Sequence, residues 1–279
     1  MILRIEDLDG PRIDPAASDS AIDTLRWLGI DWDTGPVFQS HDLRPYLEAM
    51  ESLAAKGMAY PSELSRKEIV EAASAPQEGS HEVVFPASLR PRDFPGTFTD
   101  PATNWRFATP SGAVEIDDAF MGRQRLEPSK SIGDFVIWMR SGQPSYQLAV
   151  VVDDHRQGVT QVVRGNDLLD SAGRQNLLYR AMGLDPIPTY THLPLVRGAD
   201  GRRLAKRHGD TRLTTYRQRG VRPERIIALL ARWCGVSGVE SLSAAEFAHV
   251  LDLDTIPRSD VVFTPEDDAW LLATTPSAP

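Results

Sequence analysis

Three features of this 279-residue chain predict an α/β fold. Strand-like apolar runs alternate with stretches whose apolar residues recur at helical spacing. Strand-like runs crowd the middle of the chain, as an inserted subdomain would. Glycine and proline punctuate the runs where helices should stop and start, at Gly29, Gly57 and Pro223.

The elements follow in order. "ILRIE" reads as an opening strand. Asp14-Pro15 reads as a helix cap with proline in the first turn, and Ile22, Leu25 and Leu28 mark the buried face before Gly29. A second helix spans 43–56, turning Leu43, Tyr46, Leu47, Met50, Leu53 and Ala54 inward. Ser65 and Glu68 have capping-box spacing and open a short helix. Pro, Gly and Ser then mark 75–103 as loops with a short strand near Val83–Phe85. Strands are expected at 104–109, 113–120, 134–140 and 159–165. The run "YQLAVVVDDH" (146–155) fits strand or helix alike. A helix covers 174–182, and "THLPLV" (191–196) reads as a buried strand. A helix at 223–234 buries Ile226, Ile227, Leu230 and Trp233. Ser243 and Thr264 open two more helices.

Composition narrows the function. One cysteine, Cys234, excludes an intrachain disulfide and a thiolate metal cage, and fits a reducing cytosol. No apolar run approaches the roughly 20 residues of a membrane span. "MILRIEDLDG" lacks a signal-peptide layout and reads as the start of a chain missing its beginning. The formal net charge is −9, yet 197–232 holds eleven Lys and Arg against three Asp and Glu. A basic segment on an acidic chain points to a polyanion, a triphosphate or a nucleic-acid backbone.

Three clusters could carry chemistry. Glu6, Asp7 and Asp9 end the first strand, where α/β sheets place ligands and where an ammonium group or a metal could be held. Asp153, Asp154 and His155 form a pattern that metal sites and ordinary element ends share. Arg164, before Gly165, could fork onto a carboxylate or phosphate. The third cluster is "HLPLV" followed by "GRRLAKRHGD", Gly201 to Asp210.

Their order resembles the glutamyl-/glutaminyl-tRNA synthetases, class I aminoacyl-tRNA synthetases with a Rossmann-type core. "LRIEDLD" is similar to that family's "RIEDTD" strand. "YQLAVVVDDHRQGVTQVVRG" resembles its "Y-x-L-A-x-V-V-D-D-H-x-x-G-V-T-x-V-I-R-G" segment. "HLPLV…GRRLAKRHGD" resembles its "H-L-P-L…K-L-S-K-R" loop, with Arg203 in place of a lysine and Ala205 in place of a serine. "SRKEIVEAASAP" (65–76) and "VVFTPEDDAWLL" (261–272) resemble the family's small paralogous branch, which attaches glutamate to the queuosine base of tRNA(Asp).

The resemblance implies ATP-dependent glutamate activation with Mg²⁺, then transfer to tRNA, most specifically queuosine-modified tRNA(Asp). Glu6 would hold the glutamate ammonium, and Tyr146 and Arg164 its side-chain carboxylate. His192, Leu193 and Lys206 would border ATP, with Lys206 and Arg203 as the catalytic charges. The expected protein is a cytoplasmic monomer without membrane contact. The branch carries zinc on a C-x-C pair and a later Y-x-x-x-C. Ser62, Leu64, Phe85 and Leu89 stand at those positions. They are poor zinc ligands, so no zinc is expected, and Phe85 and Leu89 are expected to pack apolarly. The family's "R-x-A-P-S-P" loop and HIGH helix precede its "RIEDTD" strand. The expected core therefore lacks its first strand and HIGH helix and forms little adenylate. The expected divisions are 1–58 and 134–200 for the core, 59–133 for an inserted tRNA-facing subdomain, and 201–279 for the basic loop and a helical region. A trimmed ordinary glutamyl-tRNA synthetase and a non-catalytic tRNA- or nucleotide-binding remnant stay open as alternatives.

Overall fold

The structure is a computed structural model describing residues 1–8, 15–72, 83–202, 204 and 212–273. Asp9, Asp14, Arg203, Ala205 and Lys206, each singled out by the sequence, lie outside the described residues. In chain order the elements are β1 (Ile2–Ile5), α1 (Pro15–Trp27), β2 (Thr34–Phe38), α2 (Arg44–Ala55), β3 (Ala59–Pro61) and α3 (Arg66–Ala72). Then come β4 (Trp105–Phe107), β5 (Val114–Asp118), β6 (Gly122–Leu126), α4 (Pro128–Ser131), β7 (Val136–Met139) and β8 (Gln143–Pro144). Next are α5 (Tyr146–Arg156), β9 (Gln161–Gly165), α6 (Leu169–Met182), β10 (Thr189–Leu193) and β11 (Val196–Arg197). The chain continues with α7 (Leu213–Gln218), α8 (Pro223–Trp233), α9 (Ala244–Val250), β12 (Val261–Val262) and α10 (Pro265–Leu272).

The chain divides into two compact units. One comprises residues 1–5, 11–37 and 193–279, and the other residues 6–10 and 38–192. The second unit holds two four-stranded sheets, ordered β6-β5-β10-β9 and β3-β4-β7-β8. In the first, β10 runs parallel to β5, and β5 and β6 form an antiparallel hairpin. Tyr46, Met50 and Leu53 of α2, Leu148 and Val151 of α5, and Leu178 of α6 pack with Trp105 and Trp138 in one core. Both tryptophans are buried, and each indole N–H finds a carbonyl at 2.9 Å, that of Asp100 or Pro101. In the other unit Leu28, Tyr216, Ile226, Ile227, Leu229 and Leu271 form the core.

Local chemistry explains most elements. Ser65 and Glu68 close the expected box at α3: the Ser65 N–H donates to the Glu68 carboxylate at 2.7 Å, and the Glu68 N–H to the Ser65 Oγ at 3.3 Å. Ser243 with Glu246 and Thr264 with Asp267 do the same at α9 and α10. "YQLAVVVDDH" is a helix. It is buried on nearly every side, so its hydrophobicity carries no period and could not separate it from a strand.

Four readings need correction. "THLPLV" is not one strand: β10 stops at Leu193, and Val196 pairs with Val261 in another sheet. Pro194 has no N–H to continue the ladder. Only Phe85 of Val83–Phe85 makes a strand-like bridge, to Gly133. That contact needs glycine: φ is +70°, and a Cβ would sit 2.1 Å from the Phe85 carbonyl oxygen. Helix α6 begins five residues earlier than Arg174, through "LDSAG", because close packing favours small residues there. A Cβ on Gly173 would meet Pro128 at 3.1 Å and Leu126 at 3.2 Å. In α8, Leu230 is exposed and Leu229 takes the inward position.

Candidate active site

Arg164 sits near the end of β9 and is half-buried. Its guanidinium is fixed on three edges. Nε donates to His192 Nε2 at 3.0 Å, Nη1 to Gln175 Oε1 at 2.9 Å, and Nη2 to the Leu168 carbonyl at 3.2 Å. A guanidinium has five N–H groups, so two remain for a ligand among the described residues. All three acceptors are uncharged atoms, so none cancels the positive charge.

His192 is 0 % exposed. Its Nδ1 lies 2.6 Å from the Asp118 carboxylate, which is itself buried at the carboxyl end of β5. Asp118 also accepts the backbone N–H groups of Phe120 at 3.0 Å, Met121 at 2.7 Å and His192 at 3.1 Å. Burial pushes this carboxyl up, but the Met121 N–H and the His192 contacts outweigh it, and its pKa ends below the ordinary value. Tyr190 stacks on the His192 ring at 5.9 Å and lies under the Arg164 guanidinium at 5.3 Å. Burial pushes the Tyr190 phenol up to about 12; Arg164 opposes the shift, while Asp154 and Tyr146 add to it.

Tyr146 opens α5 and is 42 % exposed. It borders a cleft of about 530 Å³ shared with Ser145, Gln147, Arg174, Arg106 and Asp134. Buried Gln147, its neighbour, donates to Ser171 Oγ at 3.0 Å and accepts from Gln175 Nε2 at 3.0 Å. Thus one network runs from the start of α5 through α6 to Arg164.

The predicted residues therefore sort into groups. Arg164 and His192 touch directly, and Tyr146 borders the cleft next to Gln147, whose bond to Gln175 leads on to Arg164. Leu193 follows His192 as the last residue of β10 and is half-buried. Glu6 is exposed, beside Asp7, whose carboxylate accepts the Ser40 N–H at 2.9 Å and hydroxyl at 2.5 Å. Lys206 and Arg203 lie outside the described residues. His192, expected to border ATP, has a fully buried side chain whose Nε2 accepts from Arg164.

The Asp153-Asp154-His155 triplet does not converge. Asp153 is buried and accepts from Gln39 at 2.9 Å and Tyr46 at 2.6 Å, bracing α2 against α5. His155 is exposed and borders a separate cleft of about 360 Å³. At the four zinc-branch positions, Leu64, Phe85 and Leu89 share an apolar cluster with Tyr60 and Ile69, while Ser62 accepts from Arg106 at 3.3 Å. That donor set does not fit zinc.

Sequence reasoning missed Asp118, Gln147, Gln175 and Tyr190. Two signals were available. Asp118 is an acid closing an alternating strand, where α/β sheets place function. Gln147 is a polar residue inside an apolar run, which a buried network requires.

Residues 1–263 match the family described as tRNA synthetases class I (E and Q), catalytic domain. The chain belongs to this family. It is 43% identical over 284 residues to a protein of Symbiobacterium thermophilum named Glutamyl-Q tRNA(Asp) synthetase, covering 97% of this chain and 87% of that one. A Rhodopirellula baltica protein of the same name is 43% identical over 251 residues, covering 85% and 75%. Among solved structures, a glutamate tRNA ligase from Elizabethkingia meningosepticum, in complex with its amino acid, superposes with a TM-score of 0.74 at 25% identity. The match covers 97% of this chain and 61% of that chain, so this chain spans about three fifths of the solved ligase's length. The fold is thus the α/β catalytic core of a class I synthetase, as expected. Among the described residues, no helix is long and apolar enough to cross a membrane.

Proposed function

We propose that this chain activates L-glutamate with ATP and transfers the glutamyl group to tRNA, with queuosine-modified tRNA(Asp) as the acceptor. The observation that carries the glutamate reading is Arg164: a guanidinium locked by uncharged acceptors, its charge unspent, over the Tyr190 ring. Such a fork is built for two carboxylate oxygens. Arg164 and the Tyr146 hydroxyl take the substrate's side-chain carboxylate, and Glu6 takes its ammonium group. The α-carboxylate then attacks the α-phosphorus of ATP and pyrophosphate leaves. A tRNA hydroxyl attacks the acyl carbon of the glutamyl-adenylate, and AMP departs.

The chain's share is positioning and charge stabilisation. Leu193 borders ATP, and Lys206 with Arg203 offsets the triphosphate charge. Mg²⁺ enters with ATP. The queuosine acceptor is supported by the relatives named Glutamyl-Q tRNA(Asp) synthetase, by "SRKEIVEAASAP" and by "VVFTPEDDAWLL". The protein acts as a monomer, with 59–133 as its tRNA-facing part.

Glutamate-dependent ATP–pyrophosphate exchange, with glutamylation of tRNA(Asp) carrying or lacking queuosine, tests the reading. Charging of the modified tRNA alone is expected. Equal charging of unmodified tRNA(Glu) at its 3′ end would replace it with an ordinary glutamyl-tRNA synthetase. Absence of both exchange and glutamate binding would favour the remnant alternative.

A further inference from the structure

We infer that Asp118 and His192 are positioning residues that set the preference for glutamate over glutamine by fixing the guanidinium of Arg164. The inference rests on the reading of Arg164 as partner of the substrate's side-chain carboxylate.

The relay has a direction. An aspartate offers acceptors only, so the Asp118 contact at 2.6 Å places the imidazole proton on Nδ1. Nε2 then presents a lone pair, and the single Nε–H of Arg164 points into it at 3.0 Å. With the proton on Nε2 instead, two N–H groups would face each other and the guanidinium would have to turn away. Asp118 is itself immobile, because three backbone N–H groups hold its carboxylate. Tyr190 closes the remaining side by stacking on His192 and lying under Arg164.

The arrangement matters for specificity. A fork held with donors outward accepts two oxygens and meets the amide N–H of glutamine donor to donor. A fork free to swing could present one N–H and tolerate the amide. The negative charge of Asp118 stands one imidazole away. It therefore fixes the proton without pairing directly with Arg164.

The test uses the full chain and calorimetric titration with glutamate and with glutamine. Asp118→Asn lets the amide oxygen keep the backbone donors while its NH₂ faces Nδ1, which favours the opposite tautomer. His192→Leu removes the acceptor. His192→Gln restores both bonds, an oxygen for Arg164 and an N–H for Asp118. Asp118→Asn and His192→Leu should weaken glutamate binding about 10- to 100-fold, as loss of the partners behind a ligand-holding group does. Both should narrow the glutamate-to-glutamine ratio, and His192→Gln should recover most of it. Long-range ¹H–¹⁵N spectra of the wild type should show His192 protonated on Nδ1.

A folded Asp118→Asn and His192→Leu pair with unchanged affinity and ratio would overturn the inference. So would an Nε2-protonated His192 in the wild type, a result that needs no variant to fold. Arg164→Ala is measured alongside. If it too leaves glutamate binding unchanged, the reading of Arg164 has failed. If it alone abolishes binding, only the positioning role has.

Discussion

Two arginines in the same unit are held by hydrogen bonds to buried surroundings, and they are held differently. Arg90 meets its acid directly: Nε donates to one Asp134 oxygen at 2.7 Å, Nη2 donates to the other, and Nη2 also reaches the Thr109 carbonyl at 2.8 Å. Tyr60, at 2.6 Å, and the Thr109 N–H, at 2.9 Å, fill the rest of that carboxylate. Arg164 is kept one imidazole away from Asp118 and touches only uncharged acceptors. The first arrangement consumes its charge. It stands beside the Leu64–Phe85–Leu89 cluster, where Arg106 also lies 4.2 Å over the Phe85 ring. The second arrangement keeps its charge and fixes its direction, as recognition of an anionic ligand requires. In this pair, direct carboxylate pairing goes with the staple, and neutral partners go with the arginine proposed to meet the ligand.

The contrast breaks if Arg164 behaves like a staple. Arg164→Ala should cost roughly 2–5 kcal/mol of glutamate binding, the range for truncating one partner of a sheltered charge pair. Its stability should fall by the roughly 1–3 kcal/mol that leaving buried neutral acceptors, here His192 and Gln175, without their donor costs. Titration calorimetry and thermal unfolding on the same sample decide this. A large fall in stability with intact glutamate affinity would reverse the assignment.

Arg90→Ala should lose stability alone. The Asp134 side chain is 1 % exposed and Arg90 32 %. Removing the guanidinium leaves a buried carboxylate with only Tyr60 and a backbone N–H. Breaking a buried pair costs about 3–5 kcal/mol, and partial exposure of Arg90 lowers the expectation to about 2–3 kcal/mol of unfolding free energy. Glutamate affinity should be unchanged. Denaturant unfolding reads the first and calorimetry the second. If affinity fell with stability, the two regions would be one device.

The same contrast explains what the sequence made legible. Arg164 stood out because a charged residue closed an apolar strand before a glycine, and Tyr146 only because "YQLAVVVDDHRQGVTQVVRG" resembles the family's segment. The α/β class and helices α1–α3, α6 and α8–α10 followed from periodicity, caps and glycines, whereas α4 and α7 escaped that reading and α5 stayed open between strand and helix. Asp118, Gln175 and the Arg90–Asp134 pair did not, since their partners lie 74, 11 and 44 residues away in sequence. Only folding brings such pairs together, and no local period records them. Strand β6, "GRQRL", escaped for another reason: it is a polar edge strand whose pattern comes from its partner β5. The short β3 and β8 fell below the length at which alternation can be read.

The smallest expected effect separates the Asp118 relay by acid. The folded-state pKa of Asp118 is depressed: burial raises it, but the Met121 N–H, the His192 ring and two further backbone donors lower it more. A carboxyl depressed on folding binds protons more readily in the unfolded chain. Its stabilising contribution is therefore complete above the unfolded value of 3.8 and is lost as pH falls through the folded value. Unfolding free energy should drop more steeply below about pH 4 in the wild type than in Asp118→Asn, which has no proton to take up there. The substrate's own carboxylate takes up a proton in the same window in both proteins, so glutamate binding should fall more steeply in the wild type than in Asp118→Asn, where no Asp118 proton is taken up. Denaturant melts between pH 6 and pH 3 on both proteins measure the difference. Parallel curves would show that Asp118 is not held as an anion, and the direction of the relay to Arg164 would fall with it.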